Sequence, residues 1–499
     1  MGGVCAAVVL CGASVAGEVK ATTTTQVVPD YRAYGAPLTA APADPQISAA
    51  LRQISAVRIE KTIATLVAFG TRSTLSSMET DLPQGQGVTA AADWIYAQFE
   101  SISQQCGGCL EVKRDTFVQP VSGRVARPTT LTNVYAILRG SEPNGAMFLV
   151  TGHYDSRNTA IMDDHGAAPG ANDDASGVAV SLESARVLAA ASRKAGWPGT
   201  LVFVAVAGEE QGLYGSGHLA ELARSRGWNL AGVLNNDIVG GDTTPGDSLQ
   251  RKDVVRVFSE GVPTTATPEQ TRRIRALGLM DDAPSRQLAR AMDAAARTYL
   301  NGLHGEPKFG VFLVARPDRY LRGGDHMSFN QQGFAAVRVT EWRENFHHQH
   351  QNVRVENGVQ YGDLLKFVDF RDVANVARLN AATLATLAAA PSAPRGLRIH
   401  AERLENGTTL SWNAPEPEPS RAFHYHLVWR VTDAADWQYG KAIPASGAQP
   451  VQVTVPVSKD NVIFGVRTVD AAGHASVVTT VEVPAGTPGG AKHPWETAK

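Results

Sequence analysis

The sequence has few cysteines, almost no net charge and only one long apolar run. Four of its 499 residues are Cys, and 46 basic against 48 acidic residues give a formal net charge of -2. A chain without excess positive charge lacks the field that nucleic-acid binding requires, so we expect no nucleic-acid partner. Beyond the N-terminus no apolar run approaches the ~18 residues of a membrane span, so we expect no transmembrane segment.

The apolar run lies at the N-terminus, in the stretch GGVCAAVVLCGASVAG. Its length and its small-residue end are typical of a secretory signal, although no Lys or Arg precedes it. We therefore predict a signal peptide at residues 1–20 and a secreted or periplasmic protein. Residues 21–50 are rich in Thr, Ala and Pro without periodicity, and we predict that they form an N-terminal extension.

Loss of a signal peptide would leave Cys106 and Cys109 as the remaining cysteines. Their CGGC segment lies in a polar turn between a helical pattern and the strand pattern LEVKRDTFV. Redox-active CxxC motifs instead open a helix beside a βαβ unit. We therefore predict a local disulfide that fixes the turn.

Residues 51–390 alternate between helical and strand patterns. The segments ISAVRIEKTIATLVAF and GVTAAADWIYAQFESI have apolar residues at helical spacing, whereas NVYAIL, MFLVTGHYD and TLVFVAVAGEE are short apolar runs. Runs that are apolar along their whole length are typical of strands covered on both faces. The alternation predicts an α/β layer fold, in which ligands bind beyond the carboxyl ends of the strands.

A second domain is predicted after the long helical pattern that Pro391 and Pro394 end. From there short strand patterns such as TTLSWNAP, HYHLVWRV and VIFGVRTVD recur at regular spacing, which is typical of an all-β sandwich. Together with Trp412 and the VRTVDAAGHAS ending, residues 391–486 resemble a fibronectin type III module. Residues 487–499 are predicted to be a tail.

Potential metal ligands follow four of the predicted strands of the first domain. They are His153 and Asp155 in GHYD, Asp173 and Asp174 in PGANDDASG, Glu209 and Glu210 in GEEQG, and Asp237 in NND. A mixture of imidazole and carboxylate groups suits zinc, whereas an all-carboxylate set would have favoured magnesium or calcium. Three further histidines, His347, His348 and His350, follow the strand pattern AAVRVTE.

In this order, the motifs resemble the co-catalytic zinc aminopeptidases of peptidase family M28. The resemblance covers about residues 50–390, and the PGANDDASG loop is its most specific part. It implies a three-layer α/β/α fold with a mixed, mostly parallel central sheet, as in zinc exopeptidases. It also implies two Zn²⁺ ions per chain and a peptide substrate with a free N-terminus.

Carried over residue by residue, the resemblance makes Asp173 the carboxylate that bridges two metals. His153 and Asp237 would complete one site, and Glu210 and a histidine of HHQHQN would complete the other. The family's last ligand stands four residues before an acidic residue. Asn352 occupies that place here, which makes His348 the best match and leaves His350 as the alternative.

Two further residues receive catalytic roles from the resemblance. Glu209 matches the general base, which takes a proton from the attacking water and gives it to the leaving amine. Asp155 would accept a hydrogen bond from His153 and fix its tautomer. His326 in GGDHMSF would lie near the substrate without binding metal, and Asp174 would anchor its loop.

Two alternatives to an aminopeptidase stay open from the sequence. A zinc carboxypeptidase or amidohydrolase could share the metal site, and Arg319 and Arg322 are candidates for clamping a substrate carboxylate in that case. A binding protein could instead use the β-sandwich to attach to a surface or polymer. The segment from Gly240 to Leu300 has no interpretation beyond an insertion that could cap the site.

Overall fold

The computed structural model describes residues 31–302, 308–402, 405–445 and 449–483. The predicted signal peptide (1–20) and tail (487–499) lie outside the described residues. Of the predicted extension, residues 31–50 are described. Within these described ranges, no helix has both the length and the apolar character that crossing a bilayer requires.

The first domain alternates helices and strands, as the sequence pattern predicts. In chain order, the elements up to residue 390 are β1 (Ala36–Pro37), α1 (Pro45–Leu51), α2 (Ala56–Ala68), α3 (Gly87–Gln105), β2 (Leu110–Gln119), β3 (Thr129–Leu138), β4 (Met147–His153), α4 (Ala175–Ala195), β5 (Thr200–Val206), α5 (Glu209–Gly212), α6 (Tyr214–Ser225), β6 (Leu230–Asn236), β7 (Val254–Ser259), α7 (Pro268–Ala276), α8 (Pro284–Tyr299), β8 (Gly310–Val314), α9 (His326–Gln331), β9 (Ala336–Thr340), β10 (Arg354–Glu356), β11 (Val359–Tyr361) and α10 (Phe370–Ala389). Short 3₁₀ turns cover Thr74–Met78 and Leu365–Phe367.

An eight-stranded mixed sheet forms the centre of this domain, in the order β2-β3-β5-β4-β6-β9-β7-β8. The pairs β5/β4, β4/β6, β6/β9 and β7/β8 are parallel, and the others are antiparallel. Strands β4 and β5 are buried at every position, which explains their uninterrupted apolar sequences. The predicted α/β fold with a mixed, mostly parallel central sheet is confirmed.

Helices cover both faces of the sheet. On one face α2, α4, α8 and α10 contribute Ile59, Val178, Leu288 and Leu379 to the larger apolar core. On the other face α6 and α9 contribute Leu219 and Phe329 to a second core. The predicted three layers are therefore present.

The segment between Gly240 and Leu300 belongs to the framework of the domain and is not a cap. Its strand β7 pairs with β9 and β8 inside the central sheet. Its helix α8 is amphipathic and buries Leu288 and Met292 completely. The apolar face of α8 packs into the main core, as the apolar faces of the neighbouring helices do, so the segment forms part of the core.

The predicted disulfide between Cys106 and Cys109 is present. It closes the turn between α3 and β2, and Gly107 and Gly108 both have positive φ there. Glycine adopts that backbone conformation without the steric penalty that other residues meet. The disulfide prediction is confirmed.

The C-terminal part of the chain forms a sandwich of two antiparallel sheets. Its strands are β12 (Arg395–His400), β13 (Thr408–Asn413), β14 (Phe423–Val431), β15 (Tyr439–Pro444), β16 (Val451–Val455), β17 (Val462–Asp470) and β18 (Thr479–Thr480). One sheet has the order β12-β13-β16 and the other β1-β15-β14-β17-β18. Trp412, Trp429 and Phe464 are fully buried between the two sheets.

The sandwich takes one of its strands from the N-terminal segment. Strand β1 pairs with β15, and Tyr31 lies in the sandwich core with its ring edge on Tyr439. A buried ion pair also joins the two domains, because Arg430 donates two hydrogen bonds of 2.8 and 2.9 Å to Asp282. Residues 31–37 of the extension thus belong to the sandwich, although their sequence shows no strand periodicity, whereas Ile47 in α1 packs in the core of the first domain.

Candidate metal centre

Five acidic residues and one histidine converge at the carboxyl edge of the central sheet. His153 ends β4, the pair Glu209 and Glu210 opens α5 just after β5, and Asp237 follows β6. Asp173 and Asp174 lie in the loop before α4. Because β4, β5 and β6 are parallel neighbours, their ends meet at one edge, where open α/β sheets bind ligands.

Two groups of three potential ligands form there, and Asp173 belongs to both. In the first group, Nε2 of His153 lies 3.1 Å from Oδ1 of Asp173 and 3.9 Å from Oδ1 of Asp237. In the second group, Nε2 of His350 lies 2.9 Å from Oδ2 of Asp173 and 3.0 Å from Oε1 of Glu210. Each oxygen of Asp173 therefore faces a different group.

The donor atoms fit zinc in their chemistry and in their orientation. Nε2 of His153 and Oε1 of Glu210 are buried but have no hydrogen-bond partner. They approach other ligand atoms to about 3 Å without hydrogen-bond geometry, as donor atoms do when they point at a common ion. Imidazole nitrogens and carboxylate oxygens are ligands that zinc accepts.

His350 and not His348 reaches the second group. Nδ1 of His348 lies 2.5 Å from Oδ2 of Asp242, and its ring stacks on Phe367 at 3.7 Å, away from Glu210. The backbone at His350 has a φ of 57°, a left-handed turn that a sequence pattern does not reveal. The geometry therefore favours His350, the alternative left open by the sequence, over His348, which the spacing to Asn352 had favoured.

Asp155 connects three parts of the site. Its carboxylate accepts hydrogen bonds from the backbone N–H groups of Glu209 (3.2 Å) and Glu210 (3.1 Å) and from the hydroxyl of Thr74 (2.8 Å). Nδ1 of His153 lies 3.1 Å from the Asp155 carbonyl oxygen and 3.5 Å from its carboxylate. Asp155 therefore orients both the imidazole and the start of α5.

Glu209 stands beside the two groups without belonging to either. Burial raises the pKa of Glu209 well above its usual range, and Asp237, Glu210 and Asp325 act in the same direction against the opposing effect of His153. The shift indicates that several carboxylates share one poorly solvated space. A carboxylate with a raised pKa holds a proton more readily, as a general base must during turnover.

Asp237 and Asp173 differ from Glu209, because their pKa values are lowered. Burial opposes ionisation of Asp237, but Arg338, at 2.6 Å, together with His153 lowers its pKa below the usual range. Burial likewise opposes ionisation of Asp173, and His350 and His153 lower its pKa well below the usual range. Both side chains are thus held as carboxylates, the form that binds metal.

A buried arginine and an aspartate, which the sequence did not single out, support the Asp173 loop. Arg72 is fully buried and donates hydrogen bonds to the carbonyls of Leu66, Tyr154, Pro169 and Gly170. Asp363 accepts from the backbone N–H groups of Asn172 and Asp173 at 2.7 to 2.9 Å. No spacing or strand end marks either residue in the sequence, whereas Arg338 stands out as the one charge in AAVRVT.

Arg157 contacts the second group from outside. Its Nε lies 3.0 Å from Oε2 of Glu210, and its Nη2 lies 2.6 Å from Nδ1 of His350. Metal binding through Nε2 of His350 requires the ring proton to be on Nδ1. We therefore expect Arg157 to move off Nδ1 when metal binds and to keep its contact with Glu210.

The other residues considered from the sequence lie outside the two groups. Asp174 accepts hydrogen bonds from the backbone N–H groups of His153 and Gly177, and so it anchors its loop. His326 is fully buried, with Nε2 at 2.9 Å from the Pro317 carbonyl. His165 pairs with Asp81 and Asp164, His218 pairs with Asp115, and His304 lies outside the described residues.

Comparison with known proteins gives concordant matches. The model of peptidase family M28 matches residues 133–362. A probable zinc metalloprotease of Pyrenophora teres f. teres is 41% identical over 445 residues, which cover 89% of this chain and 88% of that protein. A probable zinc metalloprotease of Leptosphaeria maculans is 42% identical over 425 residues, which cover 85% of this chain and 94% of that protein.

Solved structures with a similar fold include the LapA aminopeptidase of Legionella pneumophila. The similarity has a TM-score of 0.47 at 19% sequence identity, and it covers 69% of this chain and 75% of that one.

Proposed function

Because this chain belongs to peptidase family M28, we propose that it is a two-zinc aminopeptidase that removes the N-terminal residue of peptides. The relatives from Pyrenophora and Leptosphaeria carry the name of zinc metalloproteases. The observation that carries the proposal is the pair of three-residue groups that share Asp173, with Glu209 beside them.

In this proposal His153, Asp173 and Asp237 hold one zinc ion, and Asp173, Glu210 and His350 hold the other. Asp155 fixes the ring of His153 and, through two backbone hydrogen bonds, the start of α5 that carries Glu210. Arg72 and Asp363 hold the backbone of the Asp173 loop in place. These supporting contacts keep the ligands oriented before the metal binds.

When bound, two zinc ions activate a water molecule and stabilise negative charge on the scissile carbonyl oxygen. Glu209 accepts the proton of the attacking water and returns it to the nitrogen of the leaving amine. The raised pKa of Glu209, caused by burial and by Asp237, Glu210 and Asp325, suits a group that takes up a proton and releases it again. Glu209 and Asp155 are therefore the catalytic and positioning carboxylates.

The carboxylates around the centre favour a substrate with a free amine. Asp237, Glu210 and Asp325 each raise the pKa of Glu209, which places their negative charges close to its carboxylate. Negative charges at this position attract an ammonium group. Arg319, the first candidate for a carboxylate clamp, is 8% exposed and bound to Asp318 and Glu344, which speaks against the carboxypeptidase alternative.

We also propose that the protein is exported and that the sandwich is a fibronectin type III-like domain. A disulfide between Cys106 and Cys109 suits an oxidising compartment. Attachment of the sandwich to a surface or polymer remains a prediction from sequence.

N-terminal sequencing of protein recovered outside the producing cell tests the predicted signal peptide, because cleavage near residue 20 would yield a new N-terminus there.

The proposed activity can be tested with aminoacyl-4-nitroanilides and their N-acetylated counterparts. We expect the zinc-loaded protein to cleave only the unblocked substrates. Glu209→Gln should retain its zinc and lose about 10² to 10⁴-fold in kcat, the range for loss of a general base. The exposed residue Glu221 provides the matched control, since Glu221→Gln should leave kcat unchanged. Equal cleavage of the acetylated substrates would contradict the proposal.

A further inference from the structure

Three arginines share one carboxylate next to the candidate metal centre. Arg256, Arg319 and Arg322 lie 3.1, 2.8 and 3.2 Å from the carboxylate of Glu344, which is 5% exposed. One negative charge cannot neutralise three guanidinium groups. Arg319 has a second partner in Asp318, so the local excess of positive charge falls on the other two arginines.

Arg322 is the most exposed of the three, and it contacts Gln349, which in turn contacts Asp173. Its side chain is 30% exposed, against 8% for Arg319 and 21% for Arg256. The hydrogen bonds of its guanidinium, to Glu344 and Gln349, both start from Nη1. Within the described residues, Nη2 is therefore left for another acceptor.

The distance between Arg322 and the centre is short enough for one small substrate to span. Nη1 of Arg322 donates to Oε1 of Gln349 at 3.2 Å, and Nε2 of the same amide donates to Oδ2 of Asp173 at 3.0 Å. The two polar atoms of an amide are about 2.2 Å apart, so Nη1 lies within about 8.5 Å of Asp173. A dipeptide or a single acidic residue bridges such a distance.

We propose that Arg322 binds a carboxylate of the substrate. This inference rests on the proposed function, because it places the scissile bond at the two groups around Asp173. The carboxylate has two chemical sources: the acidic side chain of an N-terminal Asp or Glu, or the free C-terminus of a dipeptide. The acidic groups around Glu209 would bind the substrate amine, and Arg322 would bind the substrate carboxylate.

Arg322 also has a structural alternative, because it supports Gln349 next to His350. Removal of a purely structural group would slow the hydrolysis of every substrate by the same factor. Removal of a carboxylate-binding group slows only the hydrolysis of substrates that carry the carboxylate. The ratio of kcat/KM between a charged substrate and its neutral counterpart therefore separates the two roles.

The experiment compares pairs of substrates that differ in one charge. The α-4-nitroanilides of Glu and Gln test the side-chain source, and Leu-Gly and Leu-Gly-amide test the C-terminal source. The variants are Arg322→Met, which removes the charge, and Arg322→Lys, which keeps it. Arg343→Met is the matched control, because Arg343 is 49% exposed and pairs with Asp247.

We expect the zinc-loaded wild type to favour the charged member of at least one pair by about tenfold or more, as for a hydrogen bond between charged groups. Arg322→Met should abolish that preference while hydrolysis of the neutral member continues. Arg322→Lys should keep part of the preference, and Arg343→Met should keep all of it. A wild type without preference in either pair, or a preference that survives Arg322→Met, would overturn the inference.

Binding measurements separate this inference from the proposed function. Calorimetry can compare the α-hydroxamates of glutamate and glutamine, and an α-hydroxy-β-amino acyl dipeptide inhibitor with its C-terminal amide. If the wild type cleaves no unblocked substrate, the proposed function fails. Tighter binding of a charged ligand, lost in Arg322→Met, would still support the role of Arg322, whereas equal binding of both members of each pair would refute it.

Discussion

Asp173 is the residue on which both groups of potential ligands depend. Its two carboxylate oxygens face His153 on one side and His350 on the other. Gln349 donates to Oδ2 at 3.0 Å, and Asp363 accepts from the Asp173 backbone N–H. These contacts come from residues far apart in sequence and fix one side chain, as a bridging ligand requires.

The choice between His350 and His348 leads to a prediction about zinc content. His350→Ala should lower the zinc content from about two ions to about one, because it removes a donor from the second group. His348→Ala is the control, since His348 contacts Asp242 and Phe367 instead, and it should keep both ions. Metal analysis after dialysis measures the difference. Retention of two ions in His350→Ala alone would contradict our ligand assignment.

Most of the candidate site could be predicted from residue type and strand position. His153, Glu209, Glu210 and Asp237 follow buried strands, and the ends of parallel strands must meet. The last histidine could not be chosen, because the left-handed backbone at His350 decides which ring turns inward. The supporting residues escaped prediction because Arg72 and Asp363 act through backbone groups, which no sequence motif records.

At the scale of elements, the buried guanidinium of Arg72 holds the loop before α4 through hydrogen bonds to the carbonyls of Pro169 and Gly170. Burial lowers the pKa of Arg72 to about 10, while Asp363, Asp155, Asp174 and Asp173 oppose the shift. The guanidinium therefore stays protonated near neutral pH and donates hydrogen bonds to four backbone carbonyl groups, of which those of Leu66 and Gly170 also accept from a backbone N–H.

Arg72→Met should therefore lower the free energy of unfolding by about 3 to 5 kcal/mol, the usual effect of breaking a buried charged network. We also expect zinc to dissociate more readily, because the carbonyls of Tyr154 and Gly170 adjoin the two ligand segments. Arg58→Met, on the solvent-exposed side of α2, should change stability by no more than about 0.5 kcal/mol. Denaturant unfolding and metal competition measure both effects. Unchanged zinc affinity in Arg72→Met would argue against this role.

The order of elements could be predicted well because helical and strand patterns alternate clearly. The segment from Gly240 to Leu300 was the exception, since β7 is short and only its pairing with β9 identifies it as a sheet strand. The N-terminal strand β1 also escaped prediction. Two residues carry no periodicity, and the strand forms because β15 offers an edge to pair with.

At the scale of the whole molecule, the sandwich is joined to the first domain by polar contacts. Arg430 is 1% exposed and binds both oxygens of Asp282, and the indole N–H of Trp437 donates to Gln287 at 3.1 Å. Ser420 donates from its N–H and hydroxyl groups to Glu142, and His474 lies 3.0 Å from Asp44. The two domains should therefore unfold together.

Arg430→Met should lower the free energy of unfolding by about 3 kcal/mol, because it removes both hydrogen bonds to the buried Asp282 and leaves a more distant ion pair with Arg290, at 3.7 Å. Combining it with Asp282→Asn should recover part of the loss, since the unpaired charge is then removed. Arg395→Met is the control, because Arg395 forms an exposed ion pair with Glu416. Calorimetry should give one transition in the wild type. Two separate transitions would mean that the domains are not coupled.

The central claim, removal of N-terminal residues, is tested most directly by mass spectrometry of one peptide and its N-acetylated twin. Each is incubated with the zinc-loaded protein, and the products are followed over time. We predict that the free peptide loses residues one at a time from its N-terminus while the acetylated twin stays intact. Shortening from the C-terminus, internal cleavage, or equal cleavage of both peptides would contradict the claim.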